Sequence, residues 1–103
     1  MIEKIEKIKT IIRNFNRNTV HPPPPMNLSV INYLKERPRY SAYDIFQISV
    51  LQELKRQNES DKIIIRKVID NLWRNSSTNE RTAYLILAEH INSLLSRIGR
   101  IIQ

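Results

Sequence analysis

Residues 73–88 read "WRNSSTNERTAYLILA", and the reading of this stretch decides the fold. It holds the chain's one tryptophan, then a polar break, then Tyr84 and Ala88. Ser77 followed three residues later by Glu80 is a capping box, in which each side chain satisfies a backbone N–H that the helix start leaves open. One helix therefore closes at Trp73 and another opens at about residue 78. Upstream, Ile64, Ile65, Val68, Ile69, Leu72 and Trp73 recur in adjacent pairs every four residues, the spacing of one buried helical face. Downstream, Tyr84, Leu87, Ala88, Ile91, Leu95, Ile98 and Ile102 form a second such face. This last helix outruns its neighbours, so its far half needs another partner.

Working outward, Ser41 and Asp44 form a second capping box, opening a helix that carries Phe46, Val50, Leu51 and Leu54 inward. Ser60 or Asp61 caps the helix that follows. The spacing thus predicts helices at about 41–58, 61–75 and 78–102, an all-α unit over 41–103. Before it, residues 21–40 form a Pro-rich lead-in. "HPPPP" at 21–25 is stiff and donor-poor, read as a spacer or packed extended segment rather than a peptide ligand. "MNLSVINYLKE" at 26–36 is expected to make a short helical turn with Val30, Ile31 and Leu34 inward, and "RPRY" at 37–40 ends it. Residues 1–20 hold an additional amphipathic helix, with Ile2, Ile5, Ile8, Ile12 and Phe15 on one face. The proline segment and this helix are the candidates to cover the far half of the last helix.

Composition narrows the function. One glycine rules out Gly-rich phosphate loops, and no cysteine rules out disulfides, thiol nucleophiles and Cys-ligated zinc. No apolar run approaches the ~20 residues of a membrane span. Glu3 and Glu6 argue against a transit peptide, which avoids acids. The net charge of +7 points to a polyanionic partner. His21 and His90 lie in unrelated contexts and read as surface or cap residues. The carboxylates are scattered as caps and solvated pairs, so no nucleophile, base or metal set emerges. The sequence reads as a non-enzyme with no cofactor, no metal and no small-molecule substrate.

Five features in order over about residues 37–97 carry a family resemblance: Ser41-Ala42-Tyr43 with Phe46, Trp73-Arg74, Ser77 with Glu80-Arg81, Tyr84, and Ala88. Together they resemble the high-mobility-group (HMG) box. The prolines upstream make the chain most similar to fungal mating-type (MATA-type) HMG-box proteins. The resemblance implies a three-helix, L-shaped box with Phe46, Trp73 and Tyr84 as its aromatic core. It further implies binding in the DNA minor groove, with bending, by a nuclear transcription regulator. A mitochondrial location is the alternative.

By position, the resemblance assigns DNA contacts to Arg37 and Arg39 in the lead-in, and to Ser41, Tyr43 and Gln47 on the first box helix. Lys62, Ile63 and Arg66 at the start of the second helix, and Arg74 after the tryptophan, complete the set. Two departures stand out. Asp44 occupies the wedge position where sequence-specific members hold Met, Ile or Leu, leaving Ile63 as the alternative wedge. Ser41 stands where those members hold a base-reading Asn. With eleven bases against seven acids over 37–103, the expected binding is weak and strongly salt-dependent. The competing reading is an HMG-like protein-interaction module with weakened or lost DNA affinity, recruiting a protein partner through residues 1–19 or 91–102.

Overall fold

A computed structural model of the chain describes residues 2–24 and 39–102, with backbone alone from 98 onward. Arg37 and the expected turn at 26–36 lie outside the described residues. The described chain is all-helical: α1 (Ile2–Asn14), a short 3-10 turn (Arg17–Thr19), α2 (Ala42–Arg56), α3 (Lys62–Arg74) and α4 (Thr78–Ile102).

Local chemistry sets the boundaries. At the start of α2 the Ser41 hydroxyl accepts the Asp44 N–H (3.1 Å), while the Asp44 carboxylate accepts the Ser41 N–H (2.9 Å). Ser77 and Glu80 make the same reciprocal pair ahead of α4, at 3.1 and 2.8 Å. Asp61, rather than Ser60, caps α3, with Oδ1 accepting the N–H groups of Ile63 and Ile64. α2 stops at Arg56, short of the expected 58. Asn58 is left-handed (φ 63°), and the Glu59 N–H reaches back to the Leu54 carbonyl (2.9 Å) while the Asn58 N–H takes that of Lys55 (2.9 Å). That is the Schellman ending, with Asn in the place usually held by Gly.

One core joins these pieces. Ile45, Phe46, Val50 and Leu54 of α2, Ile64, Val68, Ile69 and Leu72 of α3, and Tyr84, Ala88 and Ile91 of α4 are buried together with Phe15, Val20 and Tyr40. Ile45 was not among the expected inward residues. Leu51, Ile65, Leu87, Leu95 and Trp73, which were, are only half-buried. Where the helices diverge, Phe46 lies 5.1 Å from Trp73 and 5.2 Å from Tyr84, centroid to centroid, and Trp73 and Tyr84 are 6.5 Å apart. Arg81 lies over the Trp73 ring at 5.4 Å and donates to the carbonyls of Trp73 and Arg74, closing the end of α3.

The N-terminal helix does not cover the far half of α4. It packs mainly on α3, running in the same direction, through Ile8, Ile11 and Ile12. Ile2 stays 78% exposed, so the apolar stripe engages only in its second half. Past α1 the chain crosses to α4, where the Tyr84 hydroxyl donates to the Val20 carbonyl. Farther along α4, Asn92 holds Tyr40 from both sides, accepting its N–H (2.7 Å) and donating to its carbonyl (2.8 Å). The two described ends of the lead-in thus meet α4 at different places, His21 beside Tyr84 in its first half and Tyr40 at Asn92 just past its middle. Residues 25–38, which hold the rest of the expected cover, lie outside the described residues.

His21 is no surface residue. Its ring lies 5.5 Å from Phe46 and 5.7 Å from Tyr84, with Nε2 3.3 Å from the Ser76 hydroxyl. Nδ1 is buried with no partner among the described residues. Burial lowers the imidazole below its ordinary 6.5, with Glu80 opposing the shift and Arg17 adding to it. Glu80 is drawn down to about 2 by the Ser77 N–H and then by Arg17, whose guanidinium lies 2.6 Å away.

Two losses of stability on acidification follow. His21 folds neutral, so its contribution is complete above 6.5 and is lost as pH falls below that value toward its depressed pKa. Glu80 folds ionised, so its contribution fades only from about 4.5 down to about 2. Urea midpoints between pH 7.5 and 5.5 should fall for the wild type and flatten for His21→Phe. Phe46→Ala should cost about 3–5 kcal/mol in the same assay, most of the stability of a chain this size.

Candidate nucleic-acid interface

The second to last turns of α2 and the first turns of α3 enclose an open groove of about 860 Å³. On α2 it is lined by Gln47, Leu51 and Lys55, spaced four apart and so stacked along one side of the helix. On α3 it is lined by Lys62, Ile63, Ile65, Arg66, Lys67 and Ile69, with Glu59 and Ser60 from the corner between the helices. Four cations thus surround an apolar floor that holds one carboxylate. Ile63, 58% exposed, stands among them at the first turn of α3.

Gln47, Lys62, Ile63 and Arg66, four of the residues assigned to DNA, meet in this groove. Tyr43 belongs to the same side of the α2–α3 pair but is anchored. Its hydroxyl donates to Asp70, and its ring meets Trp73 edge-on at 5.8 Å. Burial, then that hydrogen bond, pushes the phenol up to about 12, so it acts as a fixed donor. Ser41 and Arg39 are exposed at the entry to α2, and Arg74 is exposed at the far end of α3, all apart from the groove. The Ser41 hydroxyl accepts the Asp44 N–H in its capping role, and Asp44 is half-buried beside it.

Lys55, Lys67 and Glu59 were not singled out from the sequence, and Leu51 was expected in the core rather than in this groove. The stripe Gln47, Leu51, Lys55 was the available signal for two of them, since residues at i, i+4 and i+8 share a helix face. Glu59 had none, because only the Asn58 turn brings it to the groove. Among the described residues no group of three His, Cys, Asp or Glu side chains is placed to hold a metal, and no helix is long and apolar enough to cross a membrane.

On the partner faces expected at 1–19 and 91–102, the geometry is uneven. Ile91 is buried in the core and Leu95 half-buried, and among the described side chains of α4 the exposed large apolar residues are Leu85 and Ile86. The side chains of Ile98, Ile101 and Ile102 lie outside the described residues. On α1 the exposed large apolar residues are Ile2 and Ile5.

No family model, curated protein or solved structure matches the chain.

Because Ser41 acts as a cap, Ser41→Ala should lower stability by about 1 kcal/mol. Ser41→Asn, an equally good cap, should stay within about 0.3 kcal/mol of the wild type. Chemical denaturation followed by Trp73 fluorescence measures both.

Proposed function

We propose that this chain is an HMG-box-type protein that binds the DNA minor groove and bends the duplex, acting in the nucleus as a transcription regulator without catalysis or a cofactor. The observation that carries the reading is the α2–α3 groove, where Lys55, Lys62, Arg66 and Lys67 surround the exposed Ile63. Several cations around one groove suit contact with phosphates, and an apolar side chain among them suits insertion between base steps. The junction of Phe46, Trp73 and Tyr84 supports an L-shaped box in which α2 and α3 form one arm and α4 the other.

Asp44 fixes where on the box the wedge acts. A carboxylate committed to a helix start cannot stack between bases, and Asp70 lies near it through Tyr43. That end of the α2–α3 pair is therefore poor for a polyanion. The corner near Lys62 and Ile63 is favourable, so Ile63 is the wedge and Arg66 its neighbouring phosphate contact.

The exposed Leu85, Ile86, Ile2 and Ile5 favour the second reading, a protein-interaction module. Fluorescence anisotropy against an A/T-containing duplex and a four-way junction separates the two. With about four phosphates neutralised, affinity should fall roughly a hundredfold between 50 and 200 mM salt. Ile63→Ala and Arg66→Ala should each weaken binding about tenfold, on the order of 1–2 kcal/mol, with helicity unchanged. Folded protein that binds neither probe at low salt would sink the DNA reading and leave the interaction module.

A further inference from the structure

The polyanion groove contains a carboxylate of its own and abuts a second. Glu59 lines it with only 9% of its side chain exposed, and Asp61 precedes Lys62 and Ile63 directly. Both are fixed in place. The Glu59 Oε1 accepts the Asp61 N–H (3.2 Å), and the Asp61 Oδ1 accepts the N–H groups of Ile63 (2.9 Å) and Ile64 (3.2 Å). Neither can swing away from an approaching phosphate without unmaking the corner or the start of α3.

Each of these carboxylates is met by a lysine from α1. Lys7 Nζ lies 3.1 Å from the Glu59 Oε2, and Lys4 Nζ lies 3.2 Å from the Asp61 Oδ2. Each oxygen left over from the backbone bonds is the one the lysine takes. The Asp61 carboxyl is held below its usual range by the Ile64 N–H first and by Lys4 next. The lysines are placed by the apolar side of the same helix, since Ile8, Ile11 and Ile12 pack against the shared core. The Lys4–Asp61 pair is largely open to solvent and contributes little to stability, whereas Lys7 offsets the charge of a carboxylate that is itself buried.

We infer that α1 sets the affinity of the groove for nucleic acid by neutralising Glu59 and Asp61 through Lys7 and Lys4, which act as positioning residues and do not touch the ligand. The inference rests on the reading of the groove as a polyanion site. With α1 in place, the cations Lys55, Lys62, Arg66 and Lys67 face the ligand uncompensated. With the two lysines discharged, the same four cations share the corner with two bare carboxylates. A carboxylate about 8 Å from a phosphate, partly screened, weakens binding about twofold, so the two together weaken it about fourfold.

The test uses the full chain and the A/T-containing duplex in anisotropy titrations across salt. Lys4→Gln/Lys7→Gln should bind about fourfold more weakly than the wild type, with a nearly unchanged salt slope. Adding Glu59→Gln and Asp61→Asn should restore wild-type affinity, because Gln still accepts the Asp61 N–H and Asn still caps α3. Unchanged affinity in the double variant overturns the inference. So does a loss that the quadruple variant fails to restore, which means either detachment of α1 or, with the slope reduced by almost two, direct phosphate contact by both lysines. A wild-type protein that binds no duplex overturns the groove reading itself, an outcome distinct from binding that ignores Lys4 and Lys7.

Discussion

The aromatic junction of Phe46, Trp73 and Tyr84 is the contact on which the other placements depend. Each ring comes from a different helix, and each is large enough to hold apart two helices that could otherwise pack side by side. Tyr84 adds a directional element, because its buried hydroxyl needs a partner and finds it in the Val20 carbonyl. Burial pushes that phenol up to about 12, so the donor is permanent. This bond and the His21 ring contacts draw the end of the α1 segment onto the junction, which aligns α1 along α3. The ion pairs of Lys4 and Lys7 at the start of α3 follow from that alignment.

Electrostatics then divides the α2–α3 surface into two unlike ends. Near the start of α2, Asp44 and Asp70 are committed to Ser41 and Tyr43, where they stabilise structure and repel polyanions. Near the corner, four lysines and arginines remain exposed, and both local carboxylates are paired with α1. The low net charge of residues 37–103 thus understates the local field, since the neutralisation is uneven. A domain with a modest overall surplus can still present a concentrated positive patch when its acids are consumed as caps and ion pairs.

Much of the fold was legible in the sequence because it is encoded by local chemistry. The two Ser-x-x-acid boxes fix the starts of α2 and α4 within a few residues. The paired isoleucines of α3 declare a buried face without reference to anything else. What was not legible depends on contacts distant in the chain. Asn58 ends α2 early because a left-handed turn suits the tertiary path, whereas asparagine in a polar stretch looks like any loop residue. His21 sits beside four prolines, and nothing local says that its ring fills a gap between Phe46 and Tyr84. The alternation of isoleucines in α1 declares an apolar face but not its partner, so the choice of α3 over α4 waited on Val20 and Tyr84. In the candidate interface, Gln47, Lys62, Ile63 and Arg66 could be named by position, whereas Glu59 enters only through the Asn58 turn.

On the proposed reading, that same turn explains why the corner, rather than the aromatic end, would meet the nucleic acid. A Schellman ending closes the carbonyls of the last turn of α2 on the chain itself, and Asp61 closes the first N–H groups of α3. The corner is therefore satisfied internally, and its lysines, arginine and isoleucine are left to face outward. At the opposite end the backbone of α2 is capped by the very residue that a wedge would have to replace. An apolar wedge at position 44 would leave the Ser41 N–H without its acceptor, whereas Ile63 follows a complete cap and costs the helix nothing. If Ile63 is the wedge, as proposed, the stability requirement at one helix start and the binding requirement at the other are kept on separate residues.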